Sequence, residues 1–390
     1  MAVRTDAPIQ TGIPLTGVPF SRQEYERRQA AVIARFDEVG IDALAVTANS
    51  HQEYLSGYDG GGDYFAPFPL ILSPGHRPTY VVRLYDEDAV RAQSCIDDIV
   101  PYRQQADAAR AWADVLRTRG LERARLGLEL GAWNLAPADV SALQAELPDL
   151  EIVDTTRLVA QVAAVKSEVE IDVMRRAMAL TRLAIDTFNS SIEDGAVEIE
   201  VARRIDDAVA RAGGETRSYT LVFGPRTALP HGGPGLYRLE RDQPAFTELS
   251  GWMHGYAAGL CRSAVLGRHR EAETLHALAE DALQAAIDAI RPGVTAGVVD
   301  AACRSVIEVA GRSATFRHRT GYQIGIMWTD RGNLSLEPDA NDVIEANMTL
   351  HMPIILFEQG RFGVGVSETV VVTDDGAEVL SGLPREIHRA

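Results

Sequence analysis

Cysteine is scarce in this sequence of 390 residues, and long apolar runs are missing. The three cysteines, Cys95, Cys261 and Cys303, are far apart and form no CxxC pair, which argues against a disulfide framework and indicates a reducing compartment. No stretch approaches the roughly 18 apolar residues of a membrane span, and residues 1–17 contain no signal-like apolar segment. We therefore expect a soluble, cytoplasmic protein without a membrane partner.

Basic residues are also fewer than acidic ones, and the histidines are not clustered. The 38 lysines and arginines face 55 acidic residues, which gives a net charge of −17. Nucleic-acid binding depends on clustered basic side chains, so no nucleic-acid partner is expected. The nine histidines form no HxH, HxxxH or HExxH pair, so local spacing predicts no zinc site. Any metal site would need acids that are distant in the sequence.

The patterns that are present predict two domains. Strands alternate with helices over residues 1–158, which predicts a smaller α/β domain. Its first helix begins with Ser21, and Glu24 follows in the pattern of a capping box. Over residues 159–390, long amphipathic helices are grouped with antiparallel-looking strands, which is typical of an α+β domain.

Short motifs follow one another in a distinctive order in the second domain. They are residues 166–171 at the start of a long helix, residues 320–325, Met352 with Pro353, and residues 367–370. In this order they resemble the pita-bread family, which includes methionine aminopeptidase, prolidase, aminopeptidase P and creatinase. The resemblance implies an α+β fold with a pita-bread C-terminal catalytic domain, preceded by a creatinase/prolidase-type N-terminal domain, and it implies a homodimer.

The metal-dependent members of this family use two Asp, one His and two Glu, because two cations that share a hydroxide need several carboxylates. Carried over residue by residue, these positions fall on Glu248, Gly259, Tyr322, Met352 and Glu368. Two carboxylates and a phenol do not make a dinuclear centre. We therefore expect no metal and no other cofactor; a mononuclear site that uses His351 is the alternative.

A preserved framework without metal ligands resembles two branches of the family, creatinase and the ectoine hydrolases. Residues 319–325 and 57–60 are more similar to the ectoine hydrolases. The resemblance implies a metal-independent hydrolase that cleaves a non-peptide C–N bond in a small, carboxylate-bearing cyclic amidine. The alternatives are a creatinase-type guanidino hydrolase, a prolidase-type metallopeptidase and a non-catalytic binding protein.

Four residues are candidates for catalysis. His231, on a loop rich in Gly and Pro, resembles the catalytic histidine of creatinase, and a histidine is suited to pass protons at neutral pH. Glu248 and Glu368 lie beside apolar strand residues, where a carboxylate needs a cation or a shared proton. Either could hold a cationic substrate or supply the nucleophile, and an internal salt bridge is the alternative. Tyr322 could donate a hydrogen bond to developing negative charge.

Four further residues are candidates for binding a small zwitterionic substrate. Arg83 and Arg319 could pair with its carboxylate, because a guanidinium group binds a carboxylate through two hydrogen bonds. His351 and Met352 are neighbours on a strand and point to opposite faces, and we expect His351 to line the cavity. Tyr58 lies on a glycine-rich loop that could close over the cavity.

Overall fold

The chain divides into two compact units, residues 1–156 and 157–390, whereas the sequence places the boundary after residue 158. The computed structural model describes residues 18–62 and 66–390, apart from the side chains of Ser218 and Tyr219. Residues 1–17, for which the sequence predicts no signal segment, lie outside the described residues. Within the described ranges, no helix combines the length and apolar character needed to cross a membrane.

A six-stranded sheet forms the centre of the first unit, in the order β4-β3-β2-β1-β5-β6. Its strands are β1 (Ala43–Val46), β2 (Leu70–Leu72), β3 (Thr79–Arg83), β4 (Asp98–Tyr102), β5 (Arg125–Leu128) and β6 (Glu151–Asp154). The helices are α1 (Arg22–Ile33), α2 (Phe36–Val39), α3 (Asn49–Ser56), α4 (Glu87–Gln93), α5 (Ala108–Thr118) and α6 (Pro137–Glu146). β1 is parallel to β5 but antiparallel to β2, so the sheet is mixed.

The sequence predicts the start of the first helix correctly. The Ser21 hydroxyl accepts a hydrogen bond from the Glu24 backbone N–H at 3.2 Å, which confirms Ser21 as the N-cap of α1. Helix α3 begins without a side-chain hydrogen bond at its N-cap. Its buried polar side chains are held by tertiary contacts: Gln52, for example, donates to the Val46 carbonyl at 3.1 Å. Such contacts have no signature in local periodicity.

The second unit contains two sheets, with the orders β15-β9-β8-β7 and β11-β10-β12-β13-β14. Their strands are β7 (Glu215–Phe223), β8 (Gln243–Met253), β9 (Tyr256–Leu266), β10 (Gly321–Gln323), β11 (Ser335–Leu336), β12 (Thr349–Glu358), β13 (Phe362–Val372), β14 (Ala377–Val379) and β15 (His388–Arg389). The helices are α7 (Leu158–Ala164), α8 (Glu168–Ser190), α9 (Glu198–Arg211), α10 (Arg270–Ala289) and α11 (Ala296–Val309). This architecture matches the predicted α+β class.

Alternation along β13 divides its side chains between two environments. The even-numbered valines pack into a core with α10 and α11; they are Val364, Val366, Val370 and Val372. The residues between them face the other sheet. The Ser367 hydroxyl accepts from the Cys261 backbone N–H at 2.6 Å, and the Thr369 hydroxyl donates to the Gly259 carbonyl at 2.8 Å. Polar side chains of the two sheets therefore meet along β9 and β13.

Helix α8 packs closely on β8, and a glycine allows this approach. A Cβ atom on Gly251 would lie 2.4 Å from Leu180 Cβ and 2.9 Å from Thr181 N. We expect Gly251→Ala to lower the free energy of unfolding by about 1–3 kcal/mol, the usual cost of overpacking. Urea denaturation of the variant measures this loss.

Gly233→Ala is the matched control, because no atom lies within 4 Å of a Cβ at this position. Its free energy of unfolding should stay within about 0.5 kcal/mol of the wild-type value. Equal unfolding midpoints for the two variants would contradict the close packing of α8 on β8.

Candidate functional site

Polar side chains gather between the two sheets of the second unit. Glu248 on β8 lies directly opposite Cys261 on β9, and Tyr322 on β10 lies directly opposite His351 on β12. Ser367 on β13 links the two sheets through its hydrogen bond from the Cys261 backbone. We call this group the inter-sheet site; its side chains are Glu248, Cys261, Tyr322, Trp328, His351 and Ser367.

A chain of hydrogen bonds connects four of these side chains. His351 Nε2 lies 2.8 Å from the Ser367 hydroxyl oxygen, and His351 Nδ1 lies 3.3 Å from the Tyr322 hydroxyl oxygen. Trp328 Nε1 donates to the same Tyr322 oxygen at 2.5 Å. Burial, assisted by the positive charge of Arg262, lowers the pKa of His351 to about 3. The imidazole is therefore neutral at physiological pH.

Glu248 differs from the other acidic side chains around it because it is partly accessible and no described residue forms a hydrogen bond or ion pair with it. Removal of its carboxyl group from water raises its pKa to about 7. The internal salt bridge that the sequence left open is not formed, since Arg262 donates to Glu368 and Arg319 donates to Ser335. Glu248 can therefore take up or release a proton near neutral pH.

Two neighbours of Glu248 hold their protons. Burial, with the negative charge of Glu248 as the next contribution, raises the pKa of the Tyr322 hydroxyl and that of the Cys261 thiol well above their ordinary values. Tyr322 can thus act as a hydrogen-bond donor at neutral pH. Cys261 is a neutral thiol without the character of a nucleophile. It packs in an apolar cluster with Val222, Phe246, Ile355 and Phe357.

Glu368 lies on the opposite face of β13 from Ser367. Its Oε1 accepts from Arg262 Nη2 at 2.9 Å and from Arg385 Nε at 3.2 Å, and the side chain is fully buried. The structure therefore does not bring Glu368 into the inter-sheet site with Glu248. Strand alternation is the reason, because it directs residue 367 toward the site and residue 368 away from it. Met352, directly opposite Glu368, packs in the helix-facing core.

His231 lies on an exposed loop and has a left-handed backbone, with φ 55°. The loop is attached to β7, because Leu221 N–H donates to the Gly232 carbonyl at 3.3 Å. A Cβ on Gly232 would be 2.6 Å from Val222 Cγ1, a member of the apolar cluster beside Glu248. The structure therefore places this loop beside that cluster, with His231 at its exposed end.

The predicted substrate-binding residues fall into different surroundings. Arg319 stacks over the Tyr322 ring at 4.4 Å and donates to Ser335 at 3.2 Å. Arg83 and Tyr58 belong to the first unit. There Arg83 pairs with Asp86 at 2.7 Å, and Tyr58 is buried and packs edge-on against a tyrosine. Of the predicted binding residues, the structure brings His351 and Arg319 together with Tyr322.

The chain combines a unit built on one mixed sheet with a unit built on two sheets, and comparison with known families identifies this arrangement. The Creatinase/Prolidase N-terminal domain model matches residues 28–165, and the model of metallopeptidase family M24 matches residues 172–374. The chain belongs to metallopeptidase family M24. The predicted pita-bread fold with a creatinase/prolidase-type N-terminal domain is thereby confirmed.

Similar proteins carry peptidase names. The chain is 29% identical over 389 residues to the uncharacterized hydrolase/peptidase y4tL of Sinorhizobium fredii, covering 94% of this chain and 97% of that protein. The dipeptidase PepE of Mycobacterium ulcerans superposes with a TM-score of 0.86 at 25% identity, over 95% of this chain and 99% of PepE. The Xaa-Pro dipeptidase of Bacillus anthracis superposes with a TM-score of 0.83 at 22% identity. The superposition covers 94% of this chain and 100% of the dipeptidase chain.

These findings correct the functional expectation from the sequence. The prediction of a metal-independent, ectoine hydrolase-like enzyme for a non-peptide C–N bond is wrong: the matched family is a metallopeptidase family, and the relatives are named peptidases and dipeptidases. The names agree with the prolidase-type alternative. The prediction failed because the replacement of metal ligands describes what a site lacks and does not identify the bond that the site acts on.

The side chains at the site do not fit the metal pair that the family implies. Across residues 18–62 and 66–390, no group of three or more His, Cys, Asp or Glu side chains is arranged to hold a metal ion. The position expected for a second aspartate is Gly259, where a Cβ atom would lie 2.8 Å from Trp328 Cη2 and 3.2 Å from His351 Cε1. The indole and imidazole rings fill the space into which a carboxylate would project.

Sequence reasoning missed Trp328 and Ser367 as members of the site. Trp328 lies between β10 and β11, outside regular structure, so no periodicity indicated its direction. Ser367 carried a usable signal, because the valines at even positions of β13 predict that odd positions face the other way.

The surroundings of Glu368 predict a structural role for this side chain. Glu368→Gln removes the charge from a fully buried pair with Arg262, and we expect a loss of about 3–5 kcal/mol in the free energy of unfolding. Glu378→Gln is the control, because Glu378 and Arg175 form an exposed pair, which should contribute less than about 1 kcal/mol. Thermal or urea denaturation measures both. A Glu368→Gln protein as stable as the control would contradict the buried pair.

Proposed function

We propose that the protein hydrolyses the peptide C–N bond of a short peptide at the inter-sheet site, with Glu248 as the acid–base group. The supporting observation is a half-buried glutamate with no hydrogen-bond or ion-pair partner among the described residues, whose pKa of about 7 allows both protonation states at neutral pH. The phenol of Tyr322 is protonated at neutral pH, and the negative charge of Glu248 contributes to its raised pKa. The peptidase names of the relatives support the choice of bond.

In the proposed reaction, the ionised form of Glu248 takes a proton from a water molecule as the water oxygen attacks the peptide carbonyl carbon. The carbonyl oxygen becomes an oxyanion, and the Tyr322 hydroxyl stabilises it with a hydrogen bond. Glu248, now protonated, gives this proton to the leaving nitrogen as the C–N bond breaks. The products are a carboxylic acid and an amine. Each of these steps is assigned to side chains of the inter-sheet site.

Recognition of the peptide follows from the side chains around the reacting groups. Arg319 stacks on the Tyr322 ring, and its Nη2 and Nε have no described partner, so we propose that it binds a substrate carboxylate. The apolar cluster with Phe246 and Phe357 lies on the same face as Glu248 and would accept an apolar side chain. A zwitterionic dipeptide with an apolar side chain carries both the carboxylate and the apolar group that these side chains would bind.

Three further predictions from the sequence belong to this proposal. The sequence predicts His231 as the general base and then the general acid. Because His231 is exposed on its loop, this proposal gives that role to Glu248, and His231 would exchange protons between the site and bulk water. Arg83 would bind the substrate carboxylate across a homodimer, as the family resemblance implies, and Tyr58 would belong to a loop that closes over the cavity. A cytoplasmic location is supported by the three unpaired cysteines, which are all buried.

Hydrolysis of Ala-Pro and Ala-Ala by the purified protein tests the proposal. We expect the wild-type protein to release free amino acids, and we expect Glu248→Gln to lower kcat by about 10²–10⁴-fold, because an amide cannot exchange the proton. The measurement is amine release, with Mn²⁺ and with a chelator in parallel.

Glu378→Gln is the matched control, since it also replaces a glutamate with an amide but lies on the surface. It should keep the wild-type rate. Two results would overturn the proposal: no cleavage of either dipeptide by the wild-type protein, or a rate that Glu248→Gln leaves intact under both conditions.

A further inference from the structure

The direction of the Tyr322 hydroxyl depends on which nitrogen of His351 carries a proton. His351 is fully buried and neutral, so its imidazole has one N–H and one acceptor nitrogen. Nε2 lies against the Ser367 hydroxyl, and Nδ1 lies against the Tyr322 hydroxyl. Each tautomer therefore assigns the protons of these two hydroxyl groups differently.

The Nε2–H tautomer leaves a buried donor unsatisfied. The Ser367 oxygen already accepts from the Cys261 backbone N–H, and in this tautomer it would accept from His351 as well. Its own hydrogen would then have no acceptor among the described residues, although Ser367 is fully buried. A buried hydroxyl hydrogen without an acceptor is unfavourable. Tyr322 would meanwhile donate its proton to Nδ1 and have none for a ligand.

The Nδ1–H tautomer satisfies the donors of Ser367, His351 and Trp328. The one hydrogen it leaves without an acceptor among the described residues is that of Tyr322, which keeps 9% exposure, whereas Ser367 is fully buried. Ser367 donates to His351 Nε2, and His351 Nδ1–H donates to the Tyr322 oxygen. Trp328 Nε1–H donates to that oxygen too. The Tyr322 oxygen then accepts two hydrogen bonds, and its own hydrogen remains available. Hydrogen bonds received at the oxygen polarise the O–H group and strengthen it as a donor.

We propose that Ser367, His351 and Trp328 are positioning residues that hold the Tyr322 O–H as a hydrogen-bond donor for an oxygen of the bound ligand. The inference rests on the proposed function for the identity of that oxygen, which is the carbonyl oxygen of the scissile peptide bond. The backbone N–H of Cys261 can only donate, so it occupies one acceptor position of the Ser367 oxygen and favours Ser367 as the donor to His351.

The tautomer of His351 is measured by ¹⁵N NMR of histidine-labelled protein without ligand. The His351 signals are assigned by their loss in His351→Asn. We expect protonated Nδ1 and unprotonated Nε2 in the wild-type protein. Protonated Nε2 would overturn the inference. Since no substrate is present, this result stands whether or not the protein cleaves dipeptides, so failure of the proposed function is seen separately.

Ser367→Ala and Ser367→Thr form a matched pair for the same test. Ser367→Ala removes the hydroxyl that donates to Nε2, and we expect both tautomers of His351 in its spectrum and a kcat for Ala-Pro lowered about tenfold, the rate equivalent of one lost hydrogen bond. Ser367→Thr keeps the hydroxyl and should retain the wild-type tautomer of His351. If Ser367→Ala leaves both the tautomer and kcat unchanged, Ser367 does not position Tyr322.

Discussion

Hydrogen bonds between β9 and β13 hold the two sheets of the second unit together, and the candidate site depends on them. Ser263 and Gly365 exchange two hydrogen bonds at 2.9 Å, Ser367 accepts from the Cys261 backbone, and Thr369 donates to the Gly259 carbonyl. These contacts fix which side chains of each strand face the other sheet. They bring Cys261 and Ser367, the two members of the inter-sheet site on these strands, into contact.

Glu248 and Glu368 show how far the environment determines the chemistry of one residue type. Glu368 is fully buried, and two guanidinium groups neutralise it. It joins β9, β13 and the C-terminal segment through Arg262 and Arg385. Glu248 is half-buried and has no such partner among the described residues, and its raised pKa lets it exchange a proton near neutral pH. We therefore assign a functional role to Glu248 and a stabilising role to Glu368.

The sequence predicted the two-domain fold because motif order and helix and strand periodicity are local signals. It also predicted that His351 and Met352 point to opposite faces of the sheet, since neighbours on a strand point in opposite directions. The same alternation would have separated Glu368 from the site. Trp328 was beyond sequence reasoning, because its place over Gly259 arises from contacts between distant segments. The bond that is cleaved was also beyond it, since missing metal ligands do not specify a substrate.

The central claim is that Glu248 changes its protonation state near neutral pH. A ¹³C NMR titration of glutamate-labelled protein measures this directly, with the Glu248 carboxyl signal assigned by its loss in Glu248→Gln. The account predicts a titration midpoint at about pH 7. A midpoint near the ordinary value of 4.5 would show that Glu248 is simply ionised at neutral pH and would contradict the account.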